Sequence, residues 1–136
     1  MDMEMTQTPL SILYRGSLLS CNYDCHYCPF AKGKDTRESL ANDAIELRRF
    51  VDWVSNQKQP IRVFFTPWGE AFVRRHYQDA IRDLGAMPHV ERIAIQTNLS
   101  LTNTAIVRCN NEKLALWCTY HPSQTSRAKF VQKCDF

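Results

Sequence analysis

Pro60-Ile61-Arg62-Val63-Phe64-Phe65-Thr66-Pro67 sets a run of β-branched and aromatic residues between two prolines. Such a run reads as a short buried strand, because branched and aromatic side chains pack well on a pleated surface and proline cannot continue a central ladder. Upstream, Leu10 to Arg15 (Leu-Ser-Ile-Leu-Tyr-Arg) is another apolar run, ended by Gly16, and forms the first strand in chain order. Lys32 to Glu38 is polar and reads as loop. A helix is then expected to begin at Asn42 or Asp43, where Asp43 can cap it with Glu46 three residues on. Leu40, Ala44, Leu47, Val51 and Val54 recur at spacings of four and three along it, and it must end before Pro60.

Downstream of Pro67 the same alternation continues. From about Ala71 a helix puts Val73, Tyr77, Ala80, Ile81 and Leu84 on one face and stops at Gly85, a typical residue just past a helix end. Val90 to Thr97 is a third strand, followed by a short helix around Asn103 to Cys109. Leu114 to Tyr120 is a fourth strand, closed by His121-Pro122, and Gln124 to Cys134 can form a last helix with Phe130 and Val131 on its apolar side. Four strands alternating with helices predict an α/β fold with a parallel sheet and right-handed crossovers. The sheet is open or part of a barrel; a full eight-stranded barrel needs roughly 250 residues, about twice this chain. No repeat or linker divides residues 1–136, which read as one domain.

Composition narrows the function. Among 136 residues, 44% are hydrophobic and 23% charged, the profile of an ordinary globular domain. Seventeen Lys and Arg against fourteen Asp and Glu give a net charge of +3 with no basic block, so nucleic acid is not an expected partner. No apolar run is long enough to span a bilayer, and Met1 to Thr8 lacks the order of a signal peptide, so no membrane association and a cytoplasmic location are expected. Six cysteines in a reducing compartment favour metal or catalytic roles over disulfides.

Three of those cysteines are clustered. Cys21-Asn22-Tyr23-Asp24-Cys25-His26-Tyr27-Cys28 has the spacing Cys-x3-Cys-x2-Cys, in the loop after the first strand. Three thiolates within eight residues can hold three corners of a cubane iron-sulfur cluster and leave the fourth iron open to substrate or cofactor. The plain alternative is three buried reduced thiols. Cys109, Cys118 and Cys134 have no such spacing and read as isolated thiols, His26 as a solvated loop histidine, and Arg74 and Arg75 as a solvated helix face.

The motif resembles that of the radical S-adenosylmethionine (radical SAM) family, whose members carry it after the first strand of a partial (β/α)6 barrel with an aromatic residue before the third cysteine, here Tyr27. The resemblance implies that Cys21, Cys25 and Cys28 ligate a 4Fe-4S cluster, that SAM chelates the fourth iron, and that Tyr27 lies near the adenine. The family's Gly-Gly-Glu after the second strand is matched by Trp68-Gly69-Glu70, with Trp68 in place of the first glycine. Gly69 and Glu70 are thereby expected to hold the methionyl ammonium. Gln96-Thr97-Asn98 resembles the family's Thr-Asn-Gly, with Leu99 replacing glycine, and marks Asn98 as a pocket residue. Thr119, with His121 as the alternative parity, is the candidate for a ribose contact after the fourth strand.

The implied activity is reductive cleavage of SAM to methionine and a 5′-deoxyadenosyl radical that abstracts hydrogen from a substrate. A one-electron reductase such as a flavodoxin or ferredoxin is the implied electron donor. The family's fifth and sixth strands are expected beyond Phe136, so the chain reads as the N-terminal part of the core barrel, with about four β/α units and no second domain. Self-association is one way to cover the open sheet edge. Two other classes fit the cysteines: a small iron-sulfur electron carrier or metal-binding module, and an inactive truncated fragment. Against the carrier, no fourth cysteine lies near the other three, and His26 is poorly placed to complete a zinc site from inside the motif.

Overall fold

The computed structural model describes residues 8–23 and 33–135. Its strands are β1 (Leu10–Tyr14), β2 (Ile61–Phe65), β3 (Val90–Thr97) and β4 (Leu114–Cys118), and its helices are α1 (Arg37–Ser55), α2 (Arg75–Gly85), α3 (Asn103–Cys109) and α4 (Arg127–Cys134). A single 3-10 turn, Ala71–Val73, precedes α2. The four strands form one parallel sheet in the order β1-β2-β3-β4; α1, α2 and α3 link consecutive strands and α4 follows β4. Sequential order with parallel pairing is the arrangement of a barrel segment, and the chain has the expected α/β partial-barrel fold.

Alternation divides the sheet into two unlike faces. Ile12, Val63, Ile93 and Leu114 are aligned across the four strands, as are Tyr14, Phe65, Ile95 and Leu116. These rows meet Leu47, Val51 and Val54 of α1, Tyr77, Ala80, Ile81 and Leu84 of α2, and Ala105, Ile106 and Cys109 of α3 in one core. Each fully buried Ile, Leu or Phe contributes roughly 1.5 to 3 kcal/mol by leaving water. The opposite face carries Leu13, Phe64, Ala94 and Ala115 in one register row, with Trp117 stacked on Phe64 at 5.8 Å between centroids. That face is open: Leu13 is 72% exposed and Trp117 62%.

Several helix boundaries differ from expectation. α1 starts at Arg37, not at Asn42 or Asp43, because Thr36 and Ser39 form a capping box: Ser39 N donates to Thr36 Oγ1 at 3.0 Å and Thr36 N to Ser39 Oγ at 2.7 Å. Ser39 at the fourth position takes the role usually given to Glu or Gln, so the signal sits in what reads as a polar loop. Gly85 is the last residue of α2 and has no positive φ; a side chain there would press on Asn111. The segment after Glu70 is a 3-10 turn before it becomes α2, β4 ends at Cys118, and α4 begins only at Arg127, with Ser126 as its cap. Phe130 packs against the core, whereas Val131 is exposed.

Asp43 is a buried carboxylate inside α1 instead of its cap. It accepts hydrogen bonds from Ser17 N at 3.0 Å, Ser17 Oγ at 3.3 Å, Tyr77 OH at 3.3 Å and His76 Nε2 at 2.8 Å. Gly16 is needed beside it, since a Cβ there would come within 2.6 Å of Asp43 Oδ1 and 2.8 Å of Tyr77 OH. Burial pushes the Asp43 carboxyl up, but the bonds from His76 and Tyr77, the His76 charge and the Ser17 amide outweigh it and hold the group below the ordinary carboxylate value. A depressed folded-state pKa contributes stability that is complete above the unfolded value of about 3.9 and is lost as pH falls through the folded one. We expect Asp43→Asn to lower unfolding stability by about 2 to 3 kcal/mol at neutral pH. The variant should also lose part of the wild-type decline below about pH 4, measured by urea denaturation across acid pH.

Candidate functional site around Cys21

The loops that leave the carboxyl ends of β1, β2 and β3 converge on one point. The segment after β1, residues 16–21, is held along its length. Leu18 is buried in the core, and Ser17 is tied to Asp43. Asp35 Oδ2 then accepts from Leu19 N at 3.0 Å, Ser20 N at 2.7 Å and Ser20 Oγ at 2.6 Å. Burial opposes ionisation of Asp35, yet these bonds and one from Ser39 Oγ hold its carboxyl below the usual range. Arg74 Nη2 reaches Ser20 Oγ at 2.9 Å from the start of α2. Arg74 therefore braces this loop, where the sequence suggested only a solvated helix face, while Arg75 is solvated and pairs with Asp79.

The β2 loop closes on the same segment from the other side. Glu70 N donates to Ser20 O at 3.1 Å. Gly69 lies so close that a Cβ on it would collide with the Ser20 carbonyl. A glycine is required there by close backbone approach. Trp68, in the place of the first glycine of Gly-Gly-Glu, is 42% exposed and lies under the Arg15 guanidinium, 5.8 Å from ring centroid to Cζ. Arg15, Pro67, Trp68 and Gln96 line a cavity of about 170 Å³ beside this loop. Sequence reading had not marked Arg15 or Gln96.

Glu70 itself turns inward. Its Oε2 accepts from Thr97 Oγ1 at 2.7 Å and Phe72 N at 3.2 Å, and its Oε1 accepts from Asn98 N at 2.6 Å. Both oxygens are thus engaged by the chain's own donors. Burial drives the carboxyl up, to about 7, against the three hydrogen bonds that hold it down.

The end of β3 completes the cluster. Thr97 Oγ1 accepts from Leu99 N at 3.0 Å and Asn98 Oδ1 from Ser100 N at 3.0 Å. Leu99 has φ of 60°, the left-handed conformation in which glycine is favoured, so the residue that replaces a glycine by resemblance still adopts a glycine-like backbone. Asn98 Nδ2 reaches Cys21 Sγ at 3.6 Å and Asn22 Oδ1 at 3.1 Å. Tyr23 N also points at Cys21 Sγ, at 3.4 Å, and Asn22 Nδ2 donates to Ser100 Oγ at 2.8 Å. From the loop after β4, His121 meets Tyr23 edge-on, with centroids 5.8 Å apart.

Of the residues singled out from sequence, Cys21, Gly69, Glu70 and Asn98 are brought together. Thr119 is exposed at the carboxyl end of β4, where its N–H donates to Thr97 O at 2.9 Å. Cys25, Tyr27 and Cys28, with His26, lie outside the described residues. Among the described residues no three Cys, His, Asp or Glu side chains stand together as a metal site. Cys109 is a buried core thiol, Cys118 is half-buried and Cys134 is exposed, and all three are free cysteines. Burial pushes the Cys118 thiol up to about 11, with the Cys134 and Glu70 charges adding to it.

The Glu70 network yields a prediction with a definite sign. A carboxyl whose folded pKa is raised contributes stability that is present below the unfolded value of about 4.3 and declines as pH rises through the folded one. Wild-type stability should therefore contain a decline between about pH 4.3 and 7 that Glu70→Gln removes. Gln presents an N–H₂ where Asn98 N needs an acceptor, so the variant should also lose about 2 kcal/mol, measured by urea denaturation between pH 4 and 8.

In a comparison with known families, the model of the radical SAM superfamily aligns with residues 18–123, which run from the Cys21 segment past β4. No curated protein and no solved structure matches the chain. The family match covers most of the sequence and begins just ahead of the cysteine loop held by Asp35, Gly69 and Asn98. On that coverage and that loop, the chain belongs to the radical SAM superfamily.

Proposed function

We propose that the protein holds a 4Fe-4S cluster on Cys21, Cys25 and Cys28 and uses it to cleave SAM, generating a 5′-deoxyadenosyl radical that abstracts hydrogen from a substrate. The observation that carries this reading is the environment of Cys21. Its sulfur is the shared target of Tyr23 N–H and of the Asn98 amide, and two convergent donors suit a thiolate that carries charge as a metal ligand. When bound and reduced, the cluster supplies one electron to SAM, whose sulfonium bond to C5′ breaks to give methionine and the radical.

The chain's own residues do the rest by holding positions and excluding water. Asp35 and Asp43 hold the backbone that delivers Cys21, and Gly69 lets the β2 loop approach it without a side chain between. Glu70 joins the β2 and β3 loops, so that Gly69 and Asn98 present one continuous surface for the methionyl end of SAM. Tyr27 and Thr119 are proposed to flank the adenosine. The rim formed by Arg15, Trp68 and Gln96 lies on the open face of the sheet, where parallel α/β folds take their ligands. In this reading residues 1–136 are the N-terminal portion of a radical SAM core in the cytoplasm. A flavodoxin or ferredoxin delivers the electron, and self-association or a further partner covers the open sheet edge.

Anaerobic reconstitution with iron and sulfide, followed by addition of SAM and dithionite, tests the reading. We expect 5′-deoxyadenosine and methionine to form, and both to be lost in Cys25→Ala along with most of the bound iron. A full cluster that leaves SAM intact would overturn independent activity of this chain and favour an electron-carrying module.

A further inference from the structure

We propose that Asn98 is a positioning residue for the cluster: its side-chain amide donates an N–H···S hydrogen bond to the Cys21 ligand and raises the potential at which the cluster accepts its electron. The inference rests on the 4Fe-4S reading above and adds to it a residue that sets the redox poise. The amide nitrogen is 3.6 Å from Cys21 Sγ. Asn98 is 5% exposed and Cys21 half-buried, so the amide side of the contact is sheltered from competing water.

The orientation of the amide is determined by its partners. Asn98 Oδ1 accepts from Ser100 N at 3.0 Å, and a flipped amide would leave that N–H facing another donor. The N–H₂ end therefore faces the sulfur, with its second hydrogen on Asn22 Oδ1 at 3.1 Å. Glu70 holds the backbone of the same residue at 2.6 Å, and the left-handed Leu99 turns the chain so that Ser100 N can reach back. Four groups thus hold one amide against one sulfur. A strained backbone maintained by its surroundings is a mark of a site whose geometry matters.

The electrochemical consequence follows from charge. Reduction is the addition of one electron, [4Fe-4S]²⁺ + e⁻ → [4Fe-4S]⁺, taken from an external one-electron reductant. The added charge is shared with the ligand sulfurs, and a hydrogen-bond donor stabilises the more negative state more strongly. Tyr23 supplies a similar donor from its backbone, which only proline would remove, so Asn98 is the contact that a side-chain change can adjust.

The experiment compares midpoint potentials of reconstituted wild type, Asn98→Ala and Ser100→Ala in an EPR-monitored redox titration, with iron and sulfide determined for each. Ser100→Ala removes the Asn22 contact at 2.8 Å and leaves the amide on the sulfur, so it reports general disturbance of the loop. We expect a lower potential in Asn98→Ala at equal cluster content and an unchanged potential in Ser100→Ala. As a measurement that needs no variant, pulsed EPR of reduced wild type carrying δ-¹⁵N asparagine should show a nitrogen coupling through the hydrogen bond. Equal potentials at full loading, or no coupling from the labelled asparagine, would overturn the role of Asn98 alone. Failure of the wild type to bind iron would overturn the cluster reading and this inference with it.

Discussion

The buried carboxylate of Glu70 is the joint on which the site depends. One oxygen takes Thr97 Oγ1 and Phe72 N, and the other takes Asn98 N, so the side chain fastens the β2 loop, the following 3-10 turn and the end of β3 to each other. Its own amide is bonded to Ser20 O, which carries the same constraint into the cysteine loop. A carboxylate can accept all three donors at once because it is acceptor-only; an amide or hydroxyl of similar size cannot. Burial makes that arrangement costly to ionise, and the three donors recover only part of the cost, and only while every loop is in place.

The helices contribute to the site as well as to the core. α1 supplies Asp43, the loop ahead of it supplies Asp35, and both are directed at backbone amides between residues 17 and 20. His76 and Tyr77 of α2 hold Asp43 from behind, and Arg74 holds the Ser20 hydroxyl. The segment before the first cysteine is thereby braced by carboxylates from one side and by the Gly69-Glu70 backbone from the other. This bracing matters because a loop backbone alone has too much conformational freedom to present the Cys21 sulfur in a set direction.

The two faces of the sheet show where that machinery points. The helix face is a dry core built from aligned Ile, Val, Phe and Leu rows. The other face carries Leu13, Phe64 and Trp117, with Arg15, Trp68 and Gln96 at its upper rim, and it stays open to solvent. Parallel sheets are normally covered on both faces. The uncovered face lies beside Cys21 at the carboxyl ends of the strands, the end at which parallel α/β folds take their ligands.

Much of the fold was legible in the sequence because its signals are local. The strands declare themselves through branched and aromatic runs between breakers, as at Ile61–Phe65. The cysteine spacing and Gly69-Glu70 likewise lie within a few residues of each other and could be recognised as motifs. Contacts between distant residues were not legible. Asp43 looked like a helix cap and is a buried acceptor because its partners are 26 to 34 residues away. Asn98 looked like a generic pocket residue, and its contact with Cys21 spans 77 residues. Pattern and propensity determined the elements and the motif; only the packing of the loops decided which donors meet which acceptors, because a hydrogen bond depends on position in space and leaves no periodic trace along the chain.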